Sequence, residues 1–412
     1  MIDVAIIGGG AAGFFAAINI KIKQPHLHVV IFEKSKTMLG KVSISGGGRC
    51  NVTHACFVPE DLIRFYPRGN KELLSVFKRF SPNDTIAWFK ERGVAIKQEN
   101  DGRMFPVTDD SSTIIDCFMT ACKQLKIDIR TREGLTHFNK TPEGFSLTTE
   151  AGTYQAKKMV ISSGSSTHFW DMLQAAGHAI VPAVPSLFTF NIQHAFIDPL
   201  QGVAIPKVSV TALIDKAIMK SAGMNKNDVT QTGPLLFTHW GLSGPAILKL
   251  SSVAARVLHA MQYRFDISIN FSCDKNEEDV LQLLMEQKSI QPKKQLINTP
   301  ILGLPQRFWQ QVIEFSNVTE GMIWADISKN DLRKVAQGLT DCRLKVNGKS
   351  TFKEEFVTAG GVDLKEVDFK TMESKLIPGL YFAGEVLNID ALTGGFNFQA
   401  AWSEAWVISD NI

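Results

Sequence analysis

Cysteine is scarce in this chain: six thiols in 412 residues (Cys50, Cys56, Cys117, Cys122, Cys273 and Cys342), with no Cys-x-x-Cys pair among them. That spacing argues against a zinc knuckle or a thioredoxin-type centre, and it fits reduced thiols with no metal site. An excess of one charge is missing too. Lys and Arg total 44 against 41 Asp and Glu, a formal net charge of +3. Neither nucleic acid nor a polybasic membrane contact is the expected partner of such a balance. No uninterrupted apolar run reaches the length of a membrane span. Met1 to Ile20 is largely apolar, but it lacks a basic leader, carries Asp3 and is broken by Gly8-Gly9-Gly10. It does not read as a signal peptide, so the expected location is the cytoplasm, with no membrane partner. Internal repeats and low-complexity tracts are absent as well.

What is present has globular proportions, with 44% apolar and 21% charged residues, which excludes a disordered or fibrous chain. At roughly 150 residues per domain, the length accommodates two or three domains. Val4-Ala5-Ile6-Ile7 reads as a buried parallel strand, Ala11 to Lys23 as a helix and His28 to Phe32 as a second buried strand. This βαβ opening predicts an α/β fold with a parallel sheet. Helices are expected at Lys71–Phe80, Pro82–Arg92 (Ser81 capping) and Ser112–Leu125, then strands over Ile127–Phe138 and Gly144–Ile161. From about Pro185 the texture turns β-rich, Glu277 to Asn317 reads as helical, and strands return at Cys342. The expected organisation is a first part over 1–185 and a β-rich insertion over 186–273. A small helical domain over 274–338, a β-rich return over 339–353 and a closing part over 354–412 complete it.

Gly8-Gly9-Gly10-Ala11-Ala12-Gly13 fits G-x-G-x-x-G between a strand and a helix. Gly8 permits the tight turn, Gly10 lets backbone approach a pyrophosphate, and Gly13 allows close helix–strand packing. Glu33, at the end of the second strand, can accept hydrogen bonds from ribose hydroxyls. This motif alone does not separate FAD from NAD. A second glycine turn, Thr393-Gly394-Gly395-Phe396-Asn397, precedes a helix and follows a strand that ends at Gly384-Glu385. Helix N-termini of this kind receive anions or carbonyls. A third cluster, Ser45-Gly46-Gly47-Gly48-Arg49-Cys50-Asn51, removes side chains where something flat could approach, although a plain surface loop has the same composition.

With these, Asp101-Gly102-Arg103-Met104-Phe105-Pro106, Leu236 to Pro245 and the tail from Thr358 to Gln399 make the chain resemble the BaiN/YhiN-like flavoproteins, NAD(P)/FAD-dependent oxidoreductases, over essentially its whole length. The resemblance implies a glutathione-reductase-type, Rossmann-like FAD domain formed from both chain ends, with a β-barrel-like and a small helical domain inserted. It implies non-covalent FAD held by Gly8, Gly10, Ala12 and Gly13, by Glu33 and Lys34, and by Lys41 and Ser45. Gly46, Gly47, Gly48, Arg49 and Asn51 would lie along the flavin, with Leu135 a further contact. Gly384 and Glu385 would hold the ribityl chain, and Gly394, Gly395, Phe396 and Asn397 the pyrimidine edge. One departure stands out: the segment Ser162–Thr167 is shorter than the family's usual stretch.

No second G-x-G-x-x-G with a following acid occurs in the insertion, so either NAD(P)H visits the flavin as a transient reductant or another donor reduces it. His239 is a candidate proton donor. Arg103 and Arg49 are candidates for steadying developing negative charge, with structural ion pairs as the alternative. Cys50 is expected to be a buried, inert thiol. Three activities stay open: reduction or oxidation of an activated C=C or C–C bond of an apolar small molecule, an amine or alcohol oxidase or dehydrogenase, and a non-catalytic FAD-binding partner protein.

Overall fold

The computed structural model describes residues 1–319, 321–350 and 357–412. These divide into two compact units, 1–183 with 357–412 and 184–356. In the first, the β-branched run at the N-terminus forms the strand β1 (Ile2–Ile7), followed by the helix α1 (Ala11–Lys23) and the strand β2 (Val29–Glu33). β1 pairs in parallel with β2 on one side and with the strand Gly152–Ile161 on the other. The strand Leu380–Phe382 extends the sheet in parallel beyond Gly152–Ile161, and Asp128–Thr131 extends it beyond β2. Both chain ends therefore build one Rossmann-like sheet, and the α/β fold class read from the sequence holds. Strands such as β1, buried on both faces, need continuous apolar sequence, and Val4 to Ile7 supplies it.

The helix Phe396–Ser409 packs on α1, and nearly all of its residues are buried. Trp402 stands 5.3 Å from Phe15 of α1, and Trp88 lies 4.6 Å from the same ring. A small three-stranded sheet, Ile96–Gln98, Arg103–Pro106 and Thr53–His54, lies beside this core. The Ser81 cap appears as expected, in a capping box with Asp84. The cluster Ser45–Asn51 begins within the kinked helix Gly40–Gly48, where Gly46 and Gly47 have left-handed backbones.

The second unit holds a seven-stranded sheet in which every neighbouring pair is antiparallel. The stretch from Glu277 to Asn317 is not one helical run. It forms the helices Glu277–Ile290 and Gln306–Phe315 with a short 3-10 turn between them. Pro292 and Pro305 explain the interruption, because proline lacks the amide that an interior helical position needs. These helices share one hydrophobic core with the sheet, Phe271 and Phe308 meeting at 4.5 Å. The boundary expected at 353/354 lies outside the described residues. Among the described residues, no helix is long and apolar enough to cross a membrane.

Candidate functional site

The loops that leave the C-terminal ends of β1, Gly152–Ile161 and Leu380–Phe382 converge, as ligand-binding loops of parallel sheets do. Gly8 takes φ +111°, and a Cβ there would lie 2.5 Å from the Ser162 carbonyl. The Ser162 hydroxyl donates to the carbonyls of Ile7 and Gly8, both at 3.1 Å. A Cβ on Gly13 would fall 2.1 Å from the Gly8 carbonyl and 2.7 Å from the Ser162 hydroxyl. Gly13 is thus required by the protein's own packing. Gly10 differs: a Cβ there meets nothing within 4 Å, so the space above the start of α1 is open. Glu33 accepts the Gly9 amide at 2.8 Å and the Ser35 amide at 2.7 Å, which sets the acid beside the glycine turn. Ala12 lies in the first turn of α1, Lys34 packs against Gly134, and Leu135 is buried.

Gly384 has φ +80° and sits against Ala12, its would-be Cβ 3.4 Å from that of Ala12. Its neighbour Glu385 forms an ion pair with Lys41. The Gly384 amide donates at 2.6 Å to Glu404, whose carboxyl is wholly buried and pushed up to about 8 by that burial.

The glycine cluster continues through Gly48, also left-handed, to Arg49. Arg49 bonds Glu99 at 2.6 Å and Asp109 at 3.3 Å, and its guanidinium lies 4.0 Å from the Phe105 ring centre. Arg103 bonds Asp101 at 2.7 Å and Glu99 at 3.3 Å. The two arginines are brought together around Glu99, each already engaged by carboxylates. Ser45 donates to the Val42 carbonyl at 3.0 Å, and Asn51 accepts the Met104 amide at 3.3 Å. Cys50 is buried and its thiol is pushed up to about 12 by burial, the state of an inert thiol.

Gly394 and Gly395 both have left-handed backbones and start the helix Phe396–Ser409. A side chain on Gly395 would meet the Thr53 carbonyl at 2.5 Å and Asn51 at 2.8 Å, so the third glycine cluster and this turn are neighbours. Asn397 closes the turn by accepting the Ala391 amide at 3.0 Å. His54 stacks on Phe396 at 4.5 Å, and burial lowers its pKa. Sequence reading missed His54 and Glu404. The signal for Glu404 was present: a lone acid in the apolar stretch Ala400 to Ile408.

His239 belongs to the second unit, exposed at the turn between the strands Thr230–Thr238 and Gly241–Ser243.

The donor set suits a dinucleotide. Open space over Gly10, free helix-start amides for phosphate, an acid beside the glycine turn and a second helix start match the parts of FAD. Among the described residues, no cluster of side chains could hold a metal ion. Residues 2–411 match the HI0933-like protein Rossmann domain family. The chain is 30% identical over 421 residues to ribosomal RNA dihydrouridine synthase of Escherichia coli (strain K12), covering 100% of this chain and 98% of that protein. It is 28% identical over 422 residues to the protein of the same name from Haemophilus influenzae, covering 99% and 97%. To 3-dehydro-bile acid delta(4,6)-reductase of Clostridium scindens it is 22% identical over 412 residues, covering 98% and 97%. The chain belongs to the HI0933-like Rossmann-domain family and is an FAD-dependent oxidoreductase.

Proposed function

We propose that this enzyme reduces a carbon–carbon double bond conjugated to a carbonyl, and that the substrate is a uracil base in ribosomal RNA. The observation that carries the reading is the 30% identity, end to end, with a ribosomal RNA dihydrouridine synthase. The bile-acid reductase among the relatives fits the same chemistry by its name, since a 3-oxo-4,6-diene is also a conjugated carbonyl. Uracil presents C5=C6 conjugated to C4=O. Saturating it adds a hydride at C6, places negative charge on O4 and ends with a proton at C5. When bound, and once reduced by two electrons from NAD(P)H, the flavin would supply the hydride. The chain's own residues then have two tasks. The starts of α1 and of the helix Phe396–Ser409 orient the cofactor through their amides. Arg49 and Arg103 steady negative charge with the donors their carboxylate partners leave open.

A small apolar substrate was the expectation that the resemblance carried, with nucleic acid set aside on the charge balance. Trp240, beside His239, supports the RNA reading instead. Trp88, Trp170, Trp309, Trp324 and Trp402 are buried, whereas Trp240 is 64% exposed, a flat face on which an unpaired base can stack. NAD(P)H serves in this reading as a visiting reductant. The antiparallel second unit supports that, since a housed nicotinamide nucleotide needs a parallel βαβ unit.

The test is an anaerobic incubation of the FAD-loaded protein with NADH or NADPH and ribosomal RNA transcribed in vitro, followed by nuclease digestion and mass spectrometry. Uridine converted to a nucleoside with two more hydrogens is expected. A 3-oxo-4,6-diene steroid is assayed in parallel. Turnover of the steroid with unchanged RNA would overturn the RNA assignment and keep the bond chemistry.

A further inference from the structure

Glu404 lies on the helix Phe396–Ser409, wholly buried. One carboxyl oxygen accepts the Gly384 amide at 2.6 Å, and the other, Oε1, has no hydrogen-bond partner. Buried polar atoms are nearly always satisfied, so an orphan oxygen needs a reason. No cation pairs with Glu404 among the described residues. Lys23 and Arg79 reach the same helix only at its far end, at Asp410. From the segment before the helix Asn70–Phe77, Tyr66 faces Glu404. Its phenol is itself buried, is raised well above its ordinary range, and gives its proton to the Phe396 carbonyl at 2.6 Å. It is neutral under the same conditions and offers no compensating charge.

The amide that Glu404 holds belongs to the candidate cofactor site. Gly384 abuts Ala12 in the first turn of α1, and Glu385 pairs with Lys41. We propose that Glu404 is a proton-linked positioning residue: as a neutral acid it fixes the Gly384–Glu385 turn for FAD, and its ionisation weakens FAD binding. The inference rests on the Gly8–Gly13 cradle holding FAD, and not on the choice of substrate. An ionised Glu404 would be an unpaired buried anion, and a diphosphate arriving at the start of α1 brings more negative charge to the same region. Burial sets the carboxyl's midpoint near 8, with the Gly384 amide pulling it weakly back, so the switch falls just above neutrality. By reciprocity, FAD binding near that pH takes up a proton.

The experiment measures the FAD dissociation constant of the flavin-stripped full chain between pH 6.5 and 9.5 by flavin fluorescence, for wild type and Glu404→Gln. Between pH 7 and pH 9 the wild type should lose about tenfold more affinity than Glu404→Gln, with the two alike at pH 7. Tyr66→Phe should follow the wild-type profile. Identical profiles for wild type and Glu404→Gln would overturn the proposal. So would a Glu404→Gln protein that binds FAD at pH 7 as weakly as wild type does at pH 9. A chain that binds FAD at no pH would instead refute the cofactor reading. Should Glu404→Gln not fold, calorimetry of the wild type near pH 8 in buffers of different ionisation enthalpy decides. Proton uptake on FAD binding supports the proposal, and none overturns it.

Discussion

At the scale of single residues, the glycine motif separates into positions the fold needs and a position the ligand needs. Gly13 is closed off by the Gly8 carbonyl and the Ser162 hydroxyl, whereas Gly10 opens onto empty space with an ordinary extended backbone of φ −94°. Gly13→Ala should therefore cost about 2–4 kcal/mol of stability by overpacking against backbone, read as a lowered Tm of the apoprotein. Gly10→Val should melt with the apoprotein of the wild type and lose its yellow colour on gel filtration. Equal FAD retention by Gly10→Val and wild type would refute the cradle. The three glycines were legible because their spacing encodes a backbone shape. Glu404 stood out locally as a lone acid in an apolar stretch, but its role was not legible, because its partner is an amide twenty positions away. Its pH effect on stability has a definite sign. The folded value, about 8, lies above the ordinary 4.5. Its stabilising contribution is thus fully present below about 4.5 and is lost as pH rises through about 8. Glu404→Gln keeps a neutral group throughout, so its Tm should gain on the wild type by a few degrees between pH 6 and pH 9. A constant difference across that range would show that Glu404 ionises normally.

At the scale of elements, periodicity and caps located what local sequence controls. α1 runs from Ala11 to Lys23 as expected, and the helix at Pro82 starts at its Ser81 cap. One segment departs from expectation because a chain-breaking effect outranks composition there: prolines split the helical stretch after Glu277. The glycines at 46 and 47, left open between a ligand approach and a surface loop, kink a helix. The arginines illustrate a different limit. Sequence offered Arg49 and Arg103 for the same task, and could not see that Glu99 bridges them. Arg49 belongs to the element that ends the kinked helix, and its bonds to Glu99 and Asp109 tie that end to the small three-stranded sheet. Arg49→Ala should lower stability only slightly, since the pairs are partly exposed and the contact with Phe105 adds a little. Denaturant titration of the apoprotein measures it. A loss well above that, with FAD binding intact, would make Arg49 a structural post and remove it from the charge-steadying role.

At the scale of the whole molecule, charge balance constrains how an RNA can be held. With 44 basic and 41 acidic residues, the chain generates no broad positive field, and this is why composition spoke against nucleic acid. That argument bears on field-driven binding, which neutralises many phosphates. It does not bear on a substrate gripped at a few points, where an exposed aromatic such as Trp240 contributes stacking that salt does not screen. The two modes differ in a measurable slope. Each phosphate contacted on single-stranded RNA lowers log affinity by about 0.7 per unit of log salt, so a grip on about three phosphates gives a slope near −2. Raising salt from 50 to 200 mM should then weaken RNA binding by about ten- to thirtyfold, read by fluorescence anisotropy of a labelled ribosomal RNA fragment. Trp240→Ala should weaken binding by about five- to a hundredfold at either salt concentration and leave the slope unchanged, because stacking releases no counterions. A thousandfold loss with salt would mean that the phosphates dominate and that a basic surface has been underestimated. A Trp240→Ala protein that binds as the wild type does would take the stacking face out of the RNA reading, leaving that reading to stand on the oxidoreductase chemistry and the full-length kinship alone.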